Sequence, residues 1–327
     1  MLPNFKYVRP GSVEEAVNQL NSEGAKVHAG GTDLLCCLRD NVFGAQKLVS
    51  ISALDDLRGI RQSADGGLRI GALTTITQVE DHDFIKEHYA GLAMAASEVA
   101  SPQLRNRGTI GGNICQKPRC WYYRGEFHCI RKGGNLCYAF GGENQFHCIF
   151  GSDKRCCIVH PSDTAPALVA FDAKVRAAGP KGDRLIPIDK FFVRPVEDVE
   201  RETVLEPGEI VTEIMLPPTA QATRSSYRKV RARHSWDFAL AGVAMALVFK
   251  DDKVESGRVA LSGAAPIPWR SPAVEKVIIG QKLDSKTIAL AAEAVVENAE
   301  PLAKNVYKIP LFKAIIEEEL AKIAKVQ

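Results

Sequence analysis

Seven of the nine cysteines in this 327-residue chain fall between Cys115 and Cys157. From Cys120 onward they run Cys120, Cys129, Cys137, Cys148, Cys156 and Cys157, interleaved with Gly133, Gly134, Gly141, Gly142 and Gly151. The interval has too little apolar periodicity to be one helix or strand. It reads as an inserted loop folded around something that sulfur binds. Sulfur does this either as a thiolate on a metal or as half of a disulfide. A disulfide framework suits short secreted chains without a core of their own. Here the cysteines cluster, the length supports a core and MLPNFKYVRP carries no apolar leader, so metal is the favoured reading. Zinc and iron–sulfur both stay open on spacing. The closely spaced Cys pairs of structural zinc sites are absent, and so is the usual ferredoxin run.

Two glycine turns supply a second kind of chemistry. In AKVHAGGTDLL a β-like segment, Ala25 to Ala29, meets Gly30, Gly31 and Thr32, then Asp33 and an apolar run beginning at Leu34. Glycines there let consecutive backbone N–H groups approach a phosphate with no Cβ in the way, and a following helix start adds positive potential. In LRNRGTIGGNICQ, Gly108, Gly111 and Gly112 surround the hydroxyl of Thr109 and the amide of Asn113, groups suited to phosphate oxygens or a polar ring edge. After the cysteine loop, His160-Pro161-Ser162-Asp163 precedes a predicted helix, Thr164 to Phe171. Asp163 there is an N-cap or a ligand-binding carboxylate.

The elements that must position these groups are mixed. Ser12 and Glu15 form a capping box ahead of Val13, Ala16, Val17 and Leu20, which share one helical face. Strands are expected at Lys47 to Ser52 and Leu68 to Thr75, and a helix at Gly91 to Ala100. Cys36 and Cys37, among leucines, read as core. LPPTAQATR (residues 216–224) is the best domain boundary. Beyond it, SSYRKVRAR, ALAGVAMALVFK and GRVALSGAA are strand-like, while KTIALAAEAVVENA and IPLFKAIIEEELAKIAKV are helical, so a smaller α+β domain is expected: an antiparallel sheet backed by helices.

Composition excludes several classes. Net charge is +3 from 42 basic and 39 acidic residues, with no basic run interleaved with aromatics, so no nucleic-acid partner is expected. No apolar stretch reaches the length of a membrane span, and the default compartment is the reducing cytoplasm. GxSxG and HExxH are absent, no two of the seven histidines share a metal-ligand spacing, and no catalytic residue of the chain's own is expected.

AGGTDLL (Ala29 to Leu35), TIGGN (Thr109 to Asn113), PSD (Pro161 to Asp163) and YRKVR (Tyr227 to Arg231) resemble, in this order and across essentially the whole chain, the FAD-binding subunit of the molybdenum hydroxylase family. That family includes xanthine dehydrogenase, aldehyde oxidoreductases, carbon monoxide dehydrogenase and 4-hydroxybenzoyl-CoA reductase. The resemblance implies an α+β flavoprotein: a two-lobed FAD-binding fold of the vanillyl-alcohol-oxidase type over residues 1–218, then the family's C-terminal domain over 223–327. It implies that Ala29, Gly30, Gly31, Thr32, Asp33 and Leu34, with Thr109, Gly111, Gly112 and Asn113, cradle the FAD pyrophosphate. Asp163 would meet the cofactor's polar chain, with Lys229 near it.

The insertion at about 115–158 looks like that of the members with an extra 4Fe-4S cluster, which favours iron and sulfide over zinc. By that resemblance Cys120, Cys137 and Cys156 are ligands. The fourth is Cys129, as in the aldehyde-oxidoreductase type, rather than Cys148, nearer the 4-hydroxybenzoyl-CoA reductase position; Cys148, Cys157 and Cys115 are then bystanders. The implied role is an electron-transfer subunit of a heterotrimer, with substrate chemistry on a molybdopterin large subunit, two 2Fe-2S clusters on a small subunit, and an external electron donor or acceptor. The rivals are a zinc-stapled binding scaffold and a stand-alone flavin reductase or oxidase.

Overall fold

The computed structural model describes residues 1–325; Val326, the last residue of the predicted C-terminal helix, lies outside the described residues. Strands Lys6–Val8 and Ala25–His28 both lie parallel to Lys47–Ser50, which sits between them. Parallel strands need crossovers: helix Val13–Leu20 carries the chain from one outer strand to the other, and helix Leu34–Arg39 returns it to the middle strand. Ser12 accepts the Glu15 N–H at 3.1 Å as expected, but Glu15 reaches back to the Gly11 amide at 2.8 Å rather than to Ser12, so the capping box is displaced by one residue. Ala16, Val17 and Leu20 are buried with Val49 and Ile51.

A second, five-stranded antiparallel sheet runs in the order Ile60–Gln62, Leu68–Gly71, Ile210–Leu216, Lys174–Gly179, Gly182–Pro187. Its inner side chains, Leu68, Ile70, Val175 and Ile214, pack on helices Ala90–Ser97 and Thr164–Ala170. The strand expected to reach Thr75 stops at Gly71, where the chain turns and the Thr74 N–H donates back to the Gly71 carbonyl at 2.9 Å.

The third sheet is antiparallel, in the order Trp269–Arg270, Lys253–Ser262, Ala241–Lys250, Thr223–Val230. Side-chain size explains its packing. Val243, Met245, Leu247 and Phe249 face the helices Pro272–Ile278, Ser285–Ala294 and Lys308–Lys325. The alternate residues Ala244, Ala246 and Ala260 turn to the central core, where small side chains let other elements come close. Helix Ala90–Ser97 uses that room: a Cβ on Gly91 would lie 3.1 Å from the Ser226 backbone, and the Gly91 amide donates to Ser225 Oγ at 3.0 Å.

The architecture is therefore α+β, with the C-terminal antiparallel sheet backed by helices. Helix Pro272–Ile278, begun by proline, is an element that the apolar spacing did not announce. The cysteine insertion has only two short helical pieces, Trp121–Arg124 and Ile130–Lys132. It is tied instead to the C-terminal part. Ile149 N–H donates to Ala264 O at 2.8 Å, and the buried Asn305 amide donates to the His147 and Cys148 carbonyls at 2.9 and 3.0 Å.

Candidate functional site

The first glycine turn leaves strand Ala25–His28 and enters helix Leu34–Arg39. Gly31 takes φ +77°, a left-handed conformation that glycine adopts at no steric cost. Gly30 serves another purpose: a Cβ there would lie 2.0 Å from the Arg107 carbonyl oxygen, so only glycine lets the two loops touch. The second loop is fixed by Ile76 N–H to Gly108 O at 2.9 Å and Ile110 N–H to Thr74 O at 2.9 Å. TIGGN is not the turn that its glycines suggested. Thr109 caps a short helix, Ile110–Ile114, accepting the Gly112 amide at 3.2 Å. Isoleucines four residues apart bury one face of it, while Gly112 is exposed.

Both loops line one cavity of about 700 Å³, within the range of sites for extended small molecules. Ala29, Gly30, Gly31, Thr32, Asp33, Leu34, Thr109, Gly111, Gly112, Asn113 and Asp163 all border it. Among the described residues, the amides of Gly30, Gly31 and Thr32 meet no acceptor, which leaves them for an anion. Asn113 presents only its NH2 group to the cavity, because its carbonyl oxygen accepts from Ser162 and Thr164 at 2.5 and 2.7 Å.

Asp33 borders the cavity but is committed elsewhere. Its oxygens accept from the Lys117 amide at 2.7 Å, Arg124 at 2.8 Å and Arg119 at 2.9 Å, all from the insertion. The carboxylate bolts the cysteine loop to the glycine loop. Lys117 and Arg131 both pair with buried Glu202, and they line the same wall with Lys26. Burial, with Lys117 adding to it, pushes the Lys26 ammonium below its ordinary value. Nothing in the local sequence around these residues announces that wall. Cys37 is core as expected, whereas Cys36 borders the cavity.

Asp163 stands at the N-cap position of helix Thr164–Ala170, but its side chain makes no capping hydrogen bond. The Ser162 hydroxyl accepts the Ala165 amide at 3.0 Å, which releases the Asp163 carboxylate. That carboxylate accepts from Lys229 Nζ at 2.8 Å and Tyr227 Oη at 2.8 Å. Burial pushes the Asp163 carboxyl up; the Lys229 charge and the two donated hydrogen bonds oppose it. Lys229 does not border the cavity and reaches it through Asp163, its ammonium held also by the Glu98 carbonyl at 2.9 Å.

Past Asp163 a second cavity of about 180 Å³ continues toward the insertion, bordered by Cys120, Trp121, His147, Pro161 and Gly263. All the cysteines are free thiols. Cys137 and Cys157 Sγ stand 3.6 Å apart, too far for a disulfide. Hydrogen bonds among the three sulfurs push the Cys137 thiol down and the Cys156 and Cys157 thiols up. Cys120 is raised to about 11 by burial, with Cys137 and Cys129 close enough to contribute, while Arg131 favours the thiolate of Cys156. Cys148 is buried with Ala139 and Cys157, a cluster against which Cys137 also packs, and is raised to about 12 by burial. Among the described residues no three metal-ligating side chains converge on a single-ion site. The donor set is one of several thiols around Cys137, soft ligands that suit zinc, copper(I) or an iron–sulfur centre.

Residues 3–219 match the FAD binding domain in molybdopterin dehydrogenase, and residues 225–321 the CO dehydrogenase flavoprotein C-terminal domain. The chain belongs to the FAD-binding subunits of the molybdenum hydroxylase family. It is similar to the aldehyde oxidoreductase FAD-binding subunit of Escherichia coli, 35% identical over 97% of this chain and 98% of that one. It is also similar to the carbon monoxide dehydrogenase medium chain of Hydrogenophaga pseudoflava, 31% identical over 91% and 88%. A solved structure of the latter dehydrogenase superposes with a TM-score of 0.78 at 28% identity, covering 97% of this chain and 96% of that one. The chain is thus an oxidoreductase subunit that binds FAD. Among the described residues no helix is long and apolar enough to cross a membrane.

Proposed function

We propose that this chain is the FAD- and 4Fe-4S-bearing electron-transfer subunit of a heterotrimeric molybdenum hydroxylase of the aldehyde oxidoreductase type. Substrate chemistry would occur on a molybdopterin large subunit, and a small subunit would carry two 2Fe-2S clusters. Residues 1–218 and 223–327 would form its two domains. The observation that carries the proposal is the junction at Asp33, where the glycine loop of the flavin cleft and the cysteine insertion share one carboxylate.

The free amides of Gly30, Gly31 and Thr32 would hold the FAD pyrophosphate, and the NH2 of Asn113 its polar chain. Asp163, oriented by Lys229 and Tyr227, would present a fixed acceptor to the cofactor. The flavin would supply two-electron chemistry that one-electron carriers can drain in steps. Cys120, Cys129, Cys137 and Cys156 would hold the cluster, supported by the neighbourhood of Cys120, Cys129 and Cys137 and by the thiol contacts of Cys137 with Cys156. Arg131, pinned by Glu202, favours the anionic Cys156 sulfur and so the ligating form. The aldehyde type is favoured over purine or aromatic thioester types by the likeness to the Escherichia coli subunit.

The test is turnover by the isolated chain. Dithionite should reduce it, and aldehydes, purines and aromatic thioesters should leave it oxidised. Steady hydroxylation or dehydroxylation without partner subunits would make it a self-sufficient enzyme and sink the proposal.

A further inference from the structure

His147 is a buried polar residue that neither the cleft nor the cysteine set has absorbed. It lies at 5% exposure inside the insertion, with Nε2 3.3 Å from Cys120 Sγ and Nδ1 without a partner. We infer that His147 is a positioning residue for the proposed cluster, donating an Nε2–H hydrogen bond to the Cys120 sulfur and thereby raising the cluster's reduction potential. The inference rests on the cluster reading and on Cys120 being a ligand.

The tautomer follows from the acceptor. An iron-bound thiolate sulfur can accept a hydrogen bond but has no proton to give, so the shared proton belongs to Nε2. The unpartnered lone pair then falls on Nδ1, away from the sulfur. Reduction adds one negative charge to a cluster and spreads part of it onto the thiolates. A fixed N–H dipole aimed at one of them stabilises the reduced form more than the oxidised form, and such hydrogen bonds are among the terms that set iron–sulfur potentials.

The position of His147 is over-determined, as a tuning group requires. The Asn305 amide, fully buried, holds the His147 and Cys148 carbonyls at 2.9 and 3.0 Å, and the Asn144 carbonyl accepts the His147 amide at 3.1 Å. Tyr122 flanks the ring at 6.3 Å between centroids. A histidine that merely filled space would be replaceable by phenylalanine without electronic effect.

The experiment compares wild type, His147→Phe and His147→Gln, purified anaerobically as the full chain. Iron content and an EPR-monitored redox titration are the readouts. With iron retained, His147→Phe should disfavour cluster reduction about tenfold, a downward shift of about 59 mV for a one-electron couple. His147→Gln, which keeps an N–H donor, should recover most of that shift. An unchanged potential in iron-replete His147→Phe overturns the inference. If His147→Phe loses iron while His147→Gln keeps it, the His147→Gln potential decides: a value near wild type supports the inference, and one lower by about 59 mV or more overturns it. Equal loss from both variants makes the ring a packing element and overturns it. Wild type without iron refutes the cluster reading itself, a result that the potentials cannot be confused with.

Discussion

Replacing Gly30 with alanine tests the contact on which the proposed flavin cleft depends. An added Cβ would sit 2.0 Å from the Arg107 oxygen and 2.9 Å from its carbonyl carbon, and both are backbone atoms that cannot rotate aside. Real Cβ contacts essentially never fall under 3.0 Å, so the loops must part by about 1 Å or more. Overpacking of this kind costs about 1–3 kcal/mol. Gly30→Ala should therefore destabilise the apoprotein by that amount in urea unfolding, and the displaced loop should weaken FAD binding by at least tenfold, about 1.4 kcal/mol. Gly112→Ala is the control with a different mechanism. Its Cβ would meet only Thr109 Oγ1, at 3.0 Å, on the exposed side of a short helix. It should leave apoprotein stability within about 0.5 kcal/mol and still weaken FAD, because it intrudes into the cavity proposed to hold the cofactor. Fluorescence quenching of free FAD by deflavinated protein reads the affinity. A Gly30→Ala protein with wild-type stability and wild-type FAD affinity would refute the reasoning.

Three further outcomes follow from named contacts. Asp33→Ala removes the acceptor shared by Lys117, Arg119 and Arg124; it should cost roughly 1.5–3 kcal/mol and show as faster limited proteolysis within residues 115–158, so unchanged cleavage there would contradict the bolt. Cys129→Ser should lower iron content or leave a three-iron EPR signal, while Cys148→Ser should keep four irons per chain; the reverse pattern would move the fourth ligand to Cys148. Burial holds His160 down at about 4, so its contribution is complete above the unfolded value near 6.5 and is lost as pH falls toward 4, amounting to about 3 kcal/mol. His160→Phe should flatten that acid limb of the stability curve, and an identical pH dependence in the variant would count against it.

What was legible in the sequence was local. Strand Ala241–Lys250 announces itself because both faces are buried and nearly every residue is apolar. Gly30 and Gly31 stand out because no other residue tolerates those backbone demands. TIGGN misled because two glycines outweighed the Ile110 and Ile114 pair that buries one helical face. The rest depends on pairs distant in the chain. The sequence left the Asp163 carboxylate open between cap and ligand because the partners that hold it, Tyr227 and Lys229, come from 64 and 66 residues away. His147 and Cys120 are 27 residues apart, and the wall of Lys117, Arg131 and Glu202 joins the insertion to a loop 71 or more residues beyond. Such pairings leave no periodic trace, since folding, not spacing, brings them together.

The most direct measurement is the cofactor content of the full chain purified without oxygen: flavin by extraction, iron and sulfide by chemical assay, and the visible spectrum of the intact protein. The account predicts one FAD with four irons and four sulfides per chain, and flavin bands riding on a broad sulfide-to-iron shoulder that dithionite bleaches. A protein that holds FAD but neither iron nor sulfide, or one that is colourless and holds zinc, would contradict it.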